Sequence, residues 1–325
     1  MEGIKPLVGA IERKLERENG IVVRPRSCVL VTAGGNQAFM NAVLAITDPG
    51  DEVILPTPYY FNHEMAIVMA GARAVGVPTT SDYQLDLEAI ERAIGPGTRA
   101  VVTVSPNNPT GAVYPESDLR RVNELCQARG VFHVHDEAYE YFAYGSARVF
   151  SPGSIEGAAE HTISLFSLSK AYGMASWRIG YMVVPAALND AIHKIQDTIL
   201  ICPPAVSQHA ALAALEVGRS HAQAHVAGLD RTRLTIYEEL SKSGVPCEVP
   251  ATEGAFYYLV RVHAALDSMT LTERLIKEHR VATIPGSAFA DPSPCSVRIS
   301  YGALEADSVI EGLRRLIGGL RALTA

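Results

Sequence analysis

The sequence predicts an α/β fold: a mostly parallel seven-stranded sheet in a large domain, followed by a smaller C-terminal α+β domain. Three observations predict it. Short apolar runs recur through the first two-thirds of the chain, amphipathic helical stretches separate them, and a long polar–apolar segment then changes the pattern.

The seven runs are Cys28–Val31, Glu52–Leu55, Arg73–Val77, Ala100–Val104, Val131–His135, Thr162–Phe166 and Tyr181–Val184. Between them, Gln37–Ile46, Leu87–Ile94 and Glu116–Ala128 have helical spacing, with Asp86 placed to cap the second and Pro115 leading into the third. From His221 to Ser243 the period is helical and stops at Gly244. Strands at Ala255–Val260 and Ser296–Ser300 follow, with helices at Leu271–His279 and Ala306–Leu320. This pattern divides the chain into a large domain over residues 1–225 and a small one over 226–325.

With 325 residues, 48% of them hydrophobic, the chain has enough apolar surface to bury two cores. Its formal charge of −7 is spread without a basic stripe, which argues against a nucleic-acid partner. Gly, Pro or charge breaks every apolar stretch well short of a membrane span. Glu2 and Lys5 follow Met1 with no apolar h-region, so a cytoplasmic location is expected. The cysteines (Cys28, Cys126, Cys202, Cys247, Cys295) form no CxxC pair, so neither a disulfide framework nor a structural zinc site is expected.

Chemistry concentrates in five segments. In Ser167-Leu168-Ser169-Lys170-Ala171-Tyr172-Gly173-Met174 a lysine follows a predicted strand, at the sheet edge where ligands bind in open α/β folds. A lone lysine is ordinarily a solvated surface residue. Here two serines precede it, and Arg178 lies eight residues on in Trp177-Arg178-Ile179-Gly180. An imine-forming lysine beside hydroxyls and a guanidinium fits a phosphorylated aldehyde cofactor; the bland reading of Arg178 is a structural ion pair.

Thr32-Ala33-Gly34-Gly35-Asn36-Gln37-Ala38 joins a strand to a helix, and its glycines let backbone N–H groups approach a phosphate, although paired glycines usually mark plain turns. Asn107-Asn108-Pro109-Thr110-Gly111 reads as a turn, or as a loop in which Asn108 donates to a ring oxygen. In Asp136-Glu137-Ala138-Tyr139, Asp136 is either a helix cap or a carboxylate for a protonated pyridine nitrogen, with Tyr139 in reach of a phenolic oxygen. His133 and His135 read as strand residues rather than metal ligands, and no metal is expected. Within Ser296–Ser300, Arg298 needs an anion, either an internal carboxylate or a substrate α-carboxylate.

Taken in this order, these segments resemble the class I/II aminotransferases among the fold-type I pyridoxal-phosphate enzymes, over essentially the whole chain. The resemblance implies a transferase of amino acid metabolism that moves an amino group from an L-amino acid, aspartate-like or aromatic, to a 2-oxo acid by a ping-pong route. The cofactor it implies is pyridoxal 5'-phosphate. Lys170 would be the Schiff-base lysine and Asp136 the partner of the pyridine nitrogen; Asn108 and Tyr139 would meet the phenolic oxygen. Gly35, Asn36, Ser167, Ser169 and Arg178 would form the phosphate cup, and Tyr60 would stack on the ring. Arg298, with Asn108, would bind substrate. The segments Ile201–Pro204 and Glu253–Tyr257 also look familial, with no chemistry assigned.

The family further implies a homodimer with active sites at the subunit interface. It usually begins earlier, with an N-terminal segment that completes the small lobe and reaches the neighbouring subunit, so a segment ahead of Met1 is expected, lost through an upstream start or a truncation. Two other readings share the anchors: β-elimination on the same cofactor, and an aminotransferase-like sensor domain of a transcription regulator, for which this chain carries no DNA-binding module.

Overall fold

The computed structural model describes residues 2–23, 25–302 and 305–324. The large sheet consists of β1 (Ser27–Thr32), β2 (Glu52–Thr57), β3 (Arg73–Pro78), β4 (Thr98–Val104), β5 (Phe132–Asp136), β6 (Thr162–Ser167) and β7 (Gly180–Pro185). Their spatial order is β1-β7-β6-β5-β4-β2-β3. Only β7 runs against its neighbours; every other pairing is parallel. Helices pack on both faces, which is why the central strands read as unbroken apolar runs such as Val-Ile-Leu in β2 and Ala-Val-Val in β4.

Seven helices accompany this sheet: α1 (Lys5–Lys14), α2 (Gly35–Ile46), α3 (Phe61–Met69), α4 (Leu87–Ala93), α5 (Glu116–Arg129), α6 (Leu168–Ala171) and α7 (Asn189–Ile199). Asp86 caps α4 as expected, its Oδ1 accepting from Ala89 N at 2.8 Å. The remainder comprises α8 (Ala205–Val217), α9 (Ser220–Lys242), β8 (Cys247–Glu248), β9 (Tyr257–Val262), α10 (Ser268–His279), β10 (Ile284–Pro285), β11 (Ser296–Ser300) and α11 (Ala306–Thr324). Strands β10-β11-β9-β8 form a second, antiparallel sheet. Its first long strand starts at Tyr257 rather than at Ala255: Ala255 has φ +52°, a left-handed turn that a strand cannot contain, and Gly254 makes only an isolated bridge to Ala143. The sequence reading also passed over α3, α7 and α8.

Two observations tie the parts together. Tyr139 and Phe142, in the turn after β5, pack into the second core beside Phe256, Tyr257 and Leu313. The N-terminal helix α1 reaches the same turn from the other side. Buried Lys14 pairs with Glu140, and its Nζ donates to Asn19 Oδ1 at 2.8 Å. Asn19 Nδ2 in turn donates to Glu137 Oε2 (3.2 Å), Glu140 Oε2 (3.1 Å) and Ser151 Oγ (2.9 Å).

His133 and His135 are buried strand residues: Thr103 Oγ1 on β4 lies 2.7 Å from a ring nitrogen of each, and Asn123 Nδ2 on α5 lies 3.1 Å from His133 Nδ1. Burial keeps both neutral, pushing His133 well below the ordinary histidine range and His135 down to about 4. No group of His, Cys, Asp and Glu among the described residues could hold a metal ion. Cys126, Cys202, Cys247 and Cys295 are free thiols, and no helix of the described residues is long and apolar enough to cross a membrane.

Glu137 is fully buried, and burial raises its carboxyl from an ordinary 4.5 to about 8, with Glu140 adding to the rise and Ser151, Lys14 and Asn19 opposing it. An acid raised in this way stabilises the fold fully below its unfolded value, and that contribution is lost as pH climbs through about 8. The urea midpoint of the protein is therefore expected to fall as pH rises from about 5 to about 9. In Glu137→Gln the fall is expected to flatten, and a slope unchanged from wild type would contradict a protonated Glu137.

Candidate active site

The carboxyl ends of β4, β5 and β6 deliver three chemically distinct segments to one edge of the large sheet. The loop after β4 begins with Asn107, whose Oδ1 accepts from Thr110 N (3.2 Å) and Thr110 Oγ1 (2.9 Å). Asn107 thus closes the turn itself, and Asn108 is left to face inward. At the end of β5, Asp136 Oδ1 accepts from Ala138 N at 2.9 Å, a local turn bond rather than a helix cap. After β6, Ser167 Oγ accepts from Ser169 N at 3.2 Å and starts the single turn of α6 that carries Lys170.

These segments enclose a cavity of about 260 Å³. Every residue singled out from the sequence lines it: Gly35, Asn36, Tyr60, Asn108, Asp136, Tyr139, Ser167, Ser169, Lys170, Arg178 and Arg298. A wider cleft of about 900 Å³ meets it at Ser169, Lys170 and Ala175, so Lys170 stands between the enclosed cavity and the cleft.

The electrostatics are lopsided. Lys170, Arg178 and Arg298 line the cavity against one carboxylate, that of Asp136. Burial lowers the Lys170 ammonium from its ordinary range, and the guanidiniums of Arg298 and Arg178 lower it further. Arg298 is half-buried and makes no ion pair among the described residues. Its Nη1 donates to Asn108 Oδ1 at 2.7 Å, its Nε is buried without a partner, and its guanidinium lies over the rings of Tyr257 (4.4 Å) and Phe289 (4.9 Å). The internal carboxylate considered from the sequence is absent among the described residues.

Arg178 likewise has no ion pair among the described residues. Its Nη1 and Nη2 donate only to the carbonyls of Ala175 (2.9 Å) and Ala33 (3.1 Å). That places the guanidinium across the N-terminus of α2, a 12-residue helix whose N-cap, Gly34, offers no capping side chain. Gly34 has φ +85°, and a Cβ there would lie 2.6 Å from Arg178 Nη2. Gly180 allows a matching backbone approach, since a Cβ on it would meet Phe166 O at 2.6 Å and Gly34 Cα at 3.0 Å. Uncapped helix N–H groups, a guanidinium and the hydroxyls of Ser167 and Ser169 form a donor set that fits a phosphate. At the other end, buried Asp136 fits a cationic ring nitrogen. The residues present therefore suit pyridoxal 5'-phosphate.

Two functional neighbours escaped the sequence reading. His63 Nε2 lies 3.1 Å from Asp136 Oδ2, with its ring stacked on Phe39 at 4.0 Å between centroids. His63 is 73 residues from Asp136 in sequence and sits on α3, which the sequence reading passed over, so no local pattern signalled the pair. The second is Tyr257, whose hydroxyl lies 2.9 Å from that of Tyr139; the only signal was the Gly-Ala-Phe-Tyr segment to which no chemistry had been assigned. Tyr60 is the N-cap of α3, its hydroxyl accepts from Asn62 Nδ2 at 2.7 Å, and its ring stands edge-on to His63.

Aminotransferases are the known proteins this chain is similar to. The model of the family "Aminotransferase class I and II" matches residues 1–316. The chain is 37% identical over 324 residues to a probable aspartate/prephenate aminotransferase of Aquifex aeolicus, covering 97% of this chain and 81% of that protein. It is 32% identical to aromatic-amino-acid aminotransferase 2 of Thermococcus litoralis, covering 92% of this chain and 78% of that one. Among solved structures, Thermus thermophilus aspartate aminotransferase with maleate superposes with a TM-score of 0.91 at 36% identity, covering 98% of this chain and 82% of that one. The aromatic aminotransferase of Pyrococcus horikoshii gives a TM-score of 0.93 at 33% identity, with 99% and 87% covered.

Proposed function

The chain belongs to the class I and II aminotransferases and is an enzyme that transfers amino groups, and we propose that it does so with pyridoxal 5'-phosphate carried on Lys170, taking the amino group from an L-amino acid and giving it to a 2-oxo acid. The observation that carries this reading is the charge of the cavity: three cationic side chains face one carboxylate, so the site calls for anionic ligands. A phosphate at the α2 end and a substrate carboxylate at Arg298 supply them.

Each residue then has a physical task. The N–H groups at the start of α2, with Ser167, Ser169 and Arg178, hold the phosphate. Asp136, steadied by His63 and Ala138 N, holds a proton on the ring nitrogen. Tyr60 would cover one face of the ring, while Asn108 and Tyr139 would donate to the phenolic oxygen. When bound, the cofactor supplies an electron sink for the negative charge left on the substrate α-carbon as its proton departs. Once the incoming substrate amine has displaced it from the cofactor, the Lys170 amine, its proton affinity reduced by burial and two guanidiniums, would be placed to take that proton at Nζ and to give it back. Arg298 grips the α-carboxylate, and its freedom from ion pairs leaves it available for a bidentate partner.

The substrate side chain is proposed as aspartate-like or aromatic, because similar proteins carry both names. β-Elimination would use the same anchors, and nothing in the site favours it. We further read residues 1–225 as the cofactor-binding domain and 226–325 as the small domain, with α9 spanning the join. A cytoplasmic homodimer completes the proposal; the scatter of the cysteines along the chain, with no CxxC pair, is compatible with a reducing compartment.

The direct test is the visible absorbance of the purified protein loaded with pyridoxal 5'-phosphate, before and after adding L-aspartate, L-phenylalanine and other L-amino acids. A yellow band that an amino acid bleaches, with matching 2-oxo acid release, is expected. Lys170→Ala is expected to lose both the band and the turnover, and near wild-type transamination by this variant would sink the assignment. Arg298→Ala is expected to raise KM far more than it lowers kcat, at a cost of about 2–5 kcal/mol in kcat/KM if the carboxylate loses its only cationic partner. An unchanged KM would move the carboxylate site elsewhere.

A further inference from the structure

Tyr257 opens β9, is buried, and lines the cavity, yet none of the tasks above falls to it. In the β9–β11 register, Arg298 faces Leu259, two residues along the same face from Tyr257. The diagonal places the guanidinium 4.4 Å from the centre of the Tyr257 ring. The hydroxyl of the same side chain lies 2.9 Å from the Tyr139 hydroxyl. Tyr139 itself has little freedom, because Phe142, Phe256 and Tyr257 all pack edge-on against its ring.

A phenol has one proton to give, so the direction of the bond between the two tyrosines decides what Tyr139 has left for a ligand. Burial raises both phenols. The hydrogen bond with Tyr139 and the charge of Arg298 then draw Tyr257 back, whereas Tyr257 pushes Tyr139 further up. The Arg298 guanidinium, 4.4 Å from the centre of the Tyr257 ring, favours Tyr257 as the donor of the bond between the two hydroxyls, and a bond given in that direction leaves the Tyr139 proton for the cavity.

We propose that Tyr257 is a positioning residue that orients the Tyr139 hydroxyl as a donor toward the cofactor's phenolic oxygen while its ring seats Arg298, an inference that rests on the pyridoxal-phosphate reading above. One side chain thereby couples the cofactor side of the cavity to the substrate side. A stronger Tyr139 donor lowers the basicity of the phenolic oxygen, and losing the Tyr257 hydroxyl leaves that oxygen more basic.

The test is a pH titration of the visible band of the pyridoxal 5'-phosphate-loaded protein, for wild type and Tyr257→Phe, with steady-state kinetics on an amino acid that bleaches the wild-type band. Tyr257→Phe is expected to raise the titration midpoint by about half to one pH unit, the scale of one hydrogen bond. It is expected to lower kcat with little change in KM, because the ring under Arg298 remains. Tyr257→Leu removes the ring too and is expected to raise KM as well. A Tyr257→Phe titration superimposable on wild type would overturn the proposal while leaving the cofactor reading intact. A wild-type protein that takes up no pyridoxal 5'-phosphate would remove the cofactor reading and this inference together.

Discussion

A carboxylate buried at the end of a strand has to be paired, and the site is organised around that requirement at Asp136. Taking an acid out of water is costly unless hydrogen bonds or a cation compensate. One oxygen of Asp136 accepts from Ala138 N and the other faces His63 Nε2, so both have a polar partner. These bonds fix the side chain between the large sheet and α3. His63 is held in turn by Phe39 from α2, the helix whose N-terminus forms the opposite end of the cavity.

The turn that carries Asp136 is anchored twice. Tyr139 and Phe142 are sunk in the second core, while Glu137 and Glu140 face the polar cluster of Lys14, Asn19 and Ser151. A buried ion pair contributes little net stability but is costly to break, so it resists alternative positions of the turn. The N-terminal helix, the C-terminal core and the catalytic edge of the sheet therefore share one rigid joint. Lys170, Arg178 and Arg298, gathered beside that joint against the one carboxylate of Asp136, leave the cavity with an excess of positive charge that favours anions.

Much of this was legible in the chain. Strands β1, β2, β4 and β7 carry apolar runs of three or more residues because their side chains are buried on both faces of the sheet, and such runs are visible without a structure. The cavity residues Gly35, Asn36, Asn108, Asp136, Ser167, Ser169 and Lys170 were legible because each lies at or just past the carboxyl end of a strand, where a polar residue or glycine stands out against apolar surroundings. The start of β9 was misplaced by two residues because a non-glycine residue, Ala255, adopts a left-handed conformation that composition does not announce. Helices α3 and α8 carry little amphipathic periodicity and no capping side chain to set them apart from loops, whereas α7 is strongly amphipathic and lacks only the cap.

The sequence by itself determined the sheet, the order of the site segments and the identity of the groups that meet there, since these depend on local pattern and on residues close together in the chain. Tertiary structure alone decided which of those groups pair. His63 reaches Asp136 across 73 residues, Arg298 reaches Asn108 across 190, and Tyr257 reaches Tyr139 across 118. Contacts of that separation arise from how sheets and helices pack, and no window of sequence encodes them. Packing also decided that Arg178 and Arg298 stand free of carboxylates among the described residues, the condition under which an arginine is available to an anion.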